Sequence, residues 1–389
     1  MANQGTYRLP TIAAISPSLA ETLRNCPLQA AISRIGEVRA YVLANPKAWL
    51  GTAYHHVFEH LWEPSPLDDK TRINELWTQA IAALQARARE HPLNKRFDNP
   101  EQWPGYHLVH AFVVLRAKKS LQEQPRKPAA AAREGVVLRE REFTAMGGRL
   151  VGKPDVIVGN EIRDFKSGQI YDETTDGKQT IKEAYVRQMR LYGRLVEEQL
   201  GMCPRKGVLV PMQGAAVEVS LDPQACAAEA DEAVGLLDAY RCLLDAAFVA
   251  SDLATPSAQA CRWCQYKTLC PAFWENVNEA WTESLGSACV RGTLGSPPQL
   301  IHNDKAFALA MTNTSGSSSV PLTIAPLERT VHANVVAWKT GDVIRVINLY
   351  RRNDGQLSPT TSTVCLRETD CPTFTLPVQT PQPNGASFS

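Results

Sequence analysis

Long apolar runs are missing from this sequence. No stretch of about 18 uncharged apolar residues occurs, so no membrane-spanning helix is expected. The first 16 residues carry one Arg and no apolar core, so no secretory signal is expected there. Net charge is nearly missing too: 41 Lys+Arg face 40 Asp+Glu, a formal charge of +1. A strongly basic whole chain, the simplest signature of nucleic-acid binding, is thereby absent, and such a role must rest on local patches. The phosphate-binding pattern GxxxxGK followed by Ser or Thr does not occur, which argues against an ATPase or helicase motor. No internal repeat is visible. These absences lead to the expectation of a soluble, cytoplasmic chain.

What is present is ordinary in bulk and uneven in detail. A length of 389 residues allows two or three domains and a sizeable core. A composition 44% hydrophobic and 21% charged is that of a globular protein. Ten cysteines are too sparse for a small disulfide scaffold and more than a core needs. In a reducing compartment, clustered cysteines are read as metal or cluster ligands before disulfides.

Composition changes near residue 285. Before it the pattern predicts helices over Asp69–Arg89, Tyr106–Gln122, Ile181–Leu200 and Gln224–Phe248. After it come short β-type runs, Ala306–Met311, Val320–Ile324, Val331–Trp338 and Val343–Tyr350, with turn signals at Gly341-Asp342 and Asp354-Gly355. Residues 373–389 read as a flexible tail. Residues 285–389 hold 8 basic and 6 acidic residues, and residues 85–142 hold 12 and 7. That second, basic stretch includes Arg87, Arg89, Lys95, Arg96, Arg116, Lys118, Lys119, Arg126 and Lys127. A solvated helical face is the simplest account of it.

The most informative stretch runs from Gly147 to Lys166. Two β-type runs flank Gly159-Asn160, a credible two-residue hairpin turn. Such a turn sets Asp155 opposite Asp164 on one face, with Cβ atoms about 4.5–5.5 Å apart. Lys166, two residues past Asp164, points to the same side. Facing carboxylates destabilise a sheet unless a cation sits between them, and Mg²⁺ or Mn²⁺ suits that place. A nearby Lys would then orient a water or neutralise a phosphate. A chance pair of surface aspartates is the plain alternative, and a one-residue slip would separate the two.

Weaker pairs lie on either side. His55 and Glu59 are i,i+4 neighbours in a helix-compatible stretch, as are Gln188 and Tyr192. His56 and His60 share that spacing, but a zinc pair there lacks a third ligand. Cys261, Cys264 and Cys270 form a C-x2-C-x5-C array, with Cys26 the best candidate for a fourth ligand. Spacing alone allows zinc or an iron–sulfur cluster. Cys203, Cys226, Cys242, Cys289, Cys365 and Cys371 lack clustered spacing.

Gly51-x3-His55-x3-Glu59, Gly152-x2-Asp155, Asp164-x-Lys166 and Gln188-x3-Tyr192 occur in the order of the RecB-like branch of the PD-(D/E)XK nuclease superfamily, and the literal Pro154-Asp155 is retained. Cys26 with Cys261, Cys264 and Cys270 resembles that branch's iron–sulfur subgroup, which includes CRISPR-associated exonucleases and the AddB nuclease domain. The resemblance covers roughly residues 16–280. It implies an α/β, restriction-endonuclease-like fold, a mixed sheet flanked by helices. It implies that His55, Asp155, Asp164 and the Phe165 backbone carbonyl bind Mg²⁺ or Mn²⁺, and that Lys166 positions or activates water. It implies that Glu59 supports His55, that Gln188 and Tyr192 line the site and contact the DNA backbone, and that the four cysteines hold a 4Fe-4S cluster as a structural staple.

The expected organisation is a nuclease domain over 1–284 with a helical insertion at about 63–142, an OB-like β-barrel over 285–372, and a tail over 373–389. Trp338, Lys339, Tyr350, Arg351 and Arg352 are candidate contacts of the barrel with single-stranded DNA. An SH3-like barrel, with Trp338 and Tyr350 in its core, fits nearly as well. The expected activity is a metal-dependent DNA exonuclease acting on single-stranded or frayed ends, with helicase, CRISPR or repair proteins as partners. Its rivals are a non-catalytic DNA-binding scaffold and a redox-responsive iron–sulfur DNA-binding protein.

Overall fold

The computed structural model describes residues 5–123, 137–173 and 179–377. Arg126 and Lys127 of the basic stretch, and 378–389 of the expected tail, lie outside the described residues. The chain divides into two compact units. One comprises residues 13–21 and 44–238; the other comprises 5–12, 22–43 and 239–377. The division does not fall at 285, and the cysteine array groups with the C-terminal β region.

The first unit is built on a five-stranded mixed sheet. Its strands are β1 (Val137–Arg139), β2 (Val156–Val158), β3 (Glu161–Lys166), β4 (Lys206–Pro211) and β5 (Val217–Ser220), in spatial order β5-β4-β3-β2-β1. Pairing is antiparallel except between β3 and β4, which run parallel. The β2–β3 hairpin has the expected register: Val156 faces Arg163 and Val158 faces Glu161. Gly159, at φ +55°, supplies the left-handed residue that the two-residue turn needs.

Helices cover both faces. Helix α1 (Pro46–His60) starts where Asn45 Oδ1 accepts the Lys47 amide at 3.0 Å and Pro46 takes the first turn. Helix α2 (Asp69–Glu90) is capped by Asp68, which accepts the Lys70 and Thr71 amides. Helix α3 (Tyr106–Glu123) follows. These three bury Leu50, Tyr54, Phe58, Trp77, Leu84 and Val113 against Val156 and Phe165. At about 1.5–3 kcal/mol per fully buried large apolar side chain, this cluster dominates the unit's stability. Helix α4 (Glu183–Leu200), the crossover between the parallel strands, packs on the other face. A Cβ on Gly207 of β4 would meet Met189 of α4 at 2.6 Å. All four predicted helices of the earlier part form, the last over Pro223–Ala246.

The second unit carries an all-β region. Strands β6 (Ala288–Leu294), β7 (Ala306–Gly316), β8 (Leu322–Glu328), β9 (Val343–Arg351) and β10 (Val364–Arg367) join through the path β8-β7-β6-β9-β10, all antiparallel. No ladder among the described residues closes this path into a barrel. The run Val331–Trp338 is not a strand: Ala333–Ala337 is a 3₁₀ helix that turns Val335 and Trp338 into the core. Thr373–Thr375, expected in the tail, instead pairs in parallel with Thr6–Arg8. No described helix is long and apolar enough to cross a membrane.

Candidate functional site

The site forms where strand β3 ends between α1 and α4. Alternation along β3 sends Asp164 and Lys166 to the α4 face and Phe165 to the α1 face. The Phe165 ring packs on Phe58 and Tyr54, with ring centroids 4.7 and 6.2 Å away, which fixes α1 against the strand. Gly51 makes that approach possible. A Cβ there would meet Ser167 Oγ at 2.5 Å. Gly152 does the same for α4, where a Cβ would meet Leu195 at 2.6 Å and Tyr192 at 3.2 Å.

Asp164 is 3% exposed. Lys166 Nζ lies 2.5 Å from its Oδ2, donates to Gln188 Oε1 at 2.6 Å, and sits 4.5 Å from the Tyr185 ring centroid. Gln188 Nε2 reaches Asp164 Oδ1 at 3.4 Å and donates to the Tyr192 hydroxyl at 3.0 Å. Asp155 Oδ2 accepts the Phe165 amide at 2.6 Å and lies 3.8 Å from His55 Nδ1. Burial, and then the Asp164 charge, push the Asp155 carboxyl up to about 8. Burial pulls the His55 imidazole below its ordinary value, which favours the neutral, lone-pair-bearing form.

This arrangement concentrates two carboxylates, one imidazole and one ammonium at the end of the sheet's central strand. A family model of the PD-(D/E)XK nuclease superfamily matches residues 14–271. The chain belongs to the PD-(D/E)XK nuclease superfamily. As a member, it is a hydrolytic nuclease with a mixed-sheet fold of the kind described above.

Among solved structures this nuclease is similar to a protein from Eubacterium rectale provisionally described as an exonuclease: 11% identity, TM-score 0.34, over 59% of this chain and 80% of that one. It is also similar to an alkaline exonuclease from Laribacter hongkongensis: 14% identity, TM-score 0.23, over 50% and 92%. Both likenesses are loose, and membership rests on the family match. A search of the curated proteins finds no match.

Side chains of the nuclease site also take partners of their own. Glu59 acts on His55 through its charge. It pairs with Lys153 at 3.3 Å, and Glu140 holds the same ammonium at 2.7 Å. Tyr192 is 7% exposed and its hydroxyl accepts from Gln188, which itself accepts from Lys166. Phe165 contributes its amide, through Asp155, to the geometry seen. Sequence reading missed Lys153, Glu140 and Tyr185. Tyr185 was findable, being three residues before Gln188 on the same helix face.

A divalent cation fits the chemistry of this donor set. Asp164 Oδ2, though close to Lys166, receives no aligned hydrogen bond while buried, and the Asp155 charge is poorly balanced. Among the described residues, however, no three His, Cys, Asp or Glu side chains are already gathered at coordination distance.

The four predicted cysteines share a cavity, although among the described residues no three of them are gathered as a metal-ligand group. Cys26, Cys261, Cys264 and Cys270 line one small cavity with Leu28, Ile32 and Phe273, within the second unit. Cys26 stands at the start of helix Pro27–Ile32 and Cys270 at the start of helix Pro271–Asn276. Burial pushes the Cys264 and Cys270 thiols up to about 12. Of the β-region candidates, Trp338 is corrected: it is 2% exposed within the core and presents no face for stacking. Arg351 is committed to Glu279 at 2.8 Å and to the Ser317 carbonyl. Lys339, Tyr350 and Arg352 are exposed.

Proposed function

We propose that the protein is a divalent-metal-dependent DNA exonuclease that hydrolyses phosphodiester bonds at single-stranded or frayed ends. The observation that carries this reading is the Lys166 ammonium, held between Asp164 and Gln188 beside Asp155. A binding module has no use for a half-buried ammonium flanked by two carboxylates at the end of a central strand, so a non-catalytic scaffold is the weaker reading.

His55, Asp155, Asp164 and the Phe165 carbonyl would hold Mg²⁺ or Mn²⁺. When bound, the cation supplies Lewis-acid chemistry: charge stabilisation on phosphate oxygens and a more acidic water. Lys166 positions that water against phosphorus. Gln188 and Tyr192 fix the Lys166 rotamer, and Tyr185 covers its outer side. Water adds to phosphorus, the P–O bond to the leaving strand breaks, and the released oxygen takes a proton. Phosphate contacts from the basic helical stretch make affinity fall with salt. Exposed Lys339, Tyr350 and Arg352 would hold single strands by charge and stacking.

The shared cavity of Cys26, Cys261, Cys264 and Cys270 supports a 4Fe-4S cluster acting as a staple between distant parts of the sequence. Burial raises the pKa of the Cys264 and Cys270 thiols, and a cationic metal centre, which favours thiolate, would act most strongly there. The test of the nuclease reading is digestion of end-labelled DNA with Mg²⁺ or Mn²⁺ by wild type, Asp164→Ala and Lys166→Ala. Cleavage by wild type alone supports the site.

A further inference from the structure

On the sheet face that carries α1–α3, opposite to Asp164 and Lys166, lies a cavity of about 450 Å³. The ladder registers set Arg139, Val156, Arg163, Val208 and Glu218 directly opposite one another across all five strands, and all five line this cavity. Arg139 and Arg163 therefore flank Val156 two strand spacings apart, roughly 10 Å at the backbone, a span two guanidiniums can close over one anion.

Positive charge is in excess here. Five basic side chains line the cavity against Glu161 and Glu218. Those two carboxylates are taken up: Glu161 by Arg163 at 2.5 Å and Lys206 at 3.3 Å, Glu218 by Lys206 at 2.6 Å. Arg116 donates to the Pro211 and Gly214 carbonyls at 2.5 and 2.8 Å, which leaves its charge unbalanced by a carboxylate among the described residues. The Arg139 guanidinium sits 4.5 Å over the Trp62 ring, and no carboxylate among the described residues pairs with it. Burial and then the Arg163 charge lower its pKa, so Arg139 is a partly buried cation with a second cation nearby. The floor is apolar, made by Val156, Val158, Val208 and Val210.

We propose that this cavity binds one nucleotide unit, its phosphate bridging Arg139 and Arg163 and its base lying on the valine floor beside Trp62. Paired guanidiniums match a phosphate's geometry, and a flat, apolar floor with an aromatic wall matches a base. The volume is that of a small-molecule site and too small for a duplex. The nucleotide comes either free or as one unit of a single strand. Strand alternation separates this site from the catalytic carboxylates, so the proposal stands apart from the nuclease reading.

The test is calorimetric titration of the full chain, in chelator, with dAMP, with inorganic phosphate and with a 5′-phosphorylated oligothymidylate five nucleotides long. One dAMP should bind per chain, and Arg139→Gln and Arg163→Gln should each weaken it about tenfold or more, while Lys166→Ala leaves it unchanged. Tighter binding of the oligonucleotide, with the same arginine dependence, assigns the site to a strand. Tighter binding of dAMP assigns it to the free nucleotide. Should an arginine variant fail to fold, Val158→Trp, which fills the floor and keeps both guanidiniums, decides the matter by losing dAMP binding. Inorganic phosphate binding as tightly as dAMP, affinity unmoved by the arginine or Val158→Trp substitutions, or loss of binding in Lys166→Ala would overturn the proposal.

Discussion

The Lys166 ammonium lies 2.5 Å from Asp164 Oδ2, where the lysine side chain is 13% exposed and the aspartate 4%. Removing one member of a buried pair leaves the other's charge uncompensated, at a typical cost of about 3–5 kcal/mol. Lys166→Met should therefore lower the metal-free unfolding free energy by about that amount in urea titration. The double variant Lys166→Met/Asp164→Asn should recover most of the loss. Equal stability of the single variant and wild type would mean the pair is not formed.

Asp155 sets the pH dependence of the metal-free protein. Its carboxyl is raised from 3.8 to about 8, first by burial and then by Asp164. Between these values the folded state holds a proton that the unfolded chain has released. Stability therefore falls as pH rises through that window. Asp155→Asn still accepts the Phe165 amide and should flatten the slope. Mg²⁺, which prefers ionised oxygen donors, should raise Tm more near pH 8 than near pH 5. Thermal melts at both pH values, with chelator and with Mg²⁺, measure all three effects. A slope unchanged by Asp155→Asn would contradict the assignment.

Gly51 allows α1 to meet the end of β3. A Cβ there comes within 2.5 Å of Ser167 Oγ and 3.0 Å of its Cβ. Gly51→Ala should cost about 1–3 kcal/mol, as overpacking does, and should reduce cleavage by moving His55 away from Asp155. Adding Ser167→Gly should restore both. A double variant no better than the single one would place the strain elsewhere.

The cysteine centre has a direct reading by colour and metal content. Protein purified without oxygen should be brown and carry about four irons with matching sulfide per chain. Cys26→Ser and Cys261→Ser should each lose the iron, and the first result is the more telling because Cys26 is remote in sequence. A colourless wild type holding zinc would replace the cluster with a zinc site.

Much of the site was legible because it depends on short-range rules. Gly159-Asn160 fixes the hairpin register; the observed Val156–Arg163 pairing agrees and leaves Asp155 just before its strand, beside Asp164. Helical spacing placed Gln188 and Tyr192 on one face, which the hydrogen bond between them reflects. What was not legible depends on tertiary partners. Nothing in the sequence says that Glu59 meets Lys153, since only folding brings residues 59 and 153 together. Val331–Trp338 reads as a strand by its apolar residues, yet packing Val335 and Trp338 into one core asks for a tight helical turn. The parallel pairing of Thr373–Thr375 with Thr6–Arg8 joins residues more than 360 positions apart and has no local signal.

The central claim is that Asp155, Asp164 and Lys166 form one hydrolytic centre. The measurement that tests it most directly is a digestion time course on 5′- and 3′-labelled single- and double-stranded DNA with Mg²⁺ or Mn²⁺, comparing wild type with Lys166→Ala and Asp164→Ala. The account predicts stepwise shortening by wild type, fastest on single strands, with rates lowered at least about a hundredfold in both variants. Shortening by either variant at the wild-type rate would contradict it.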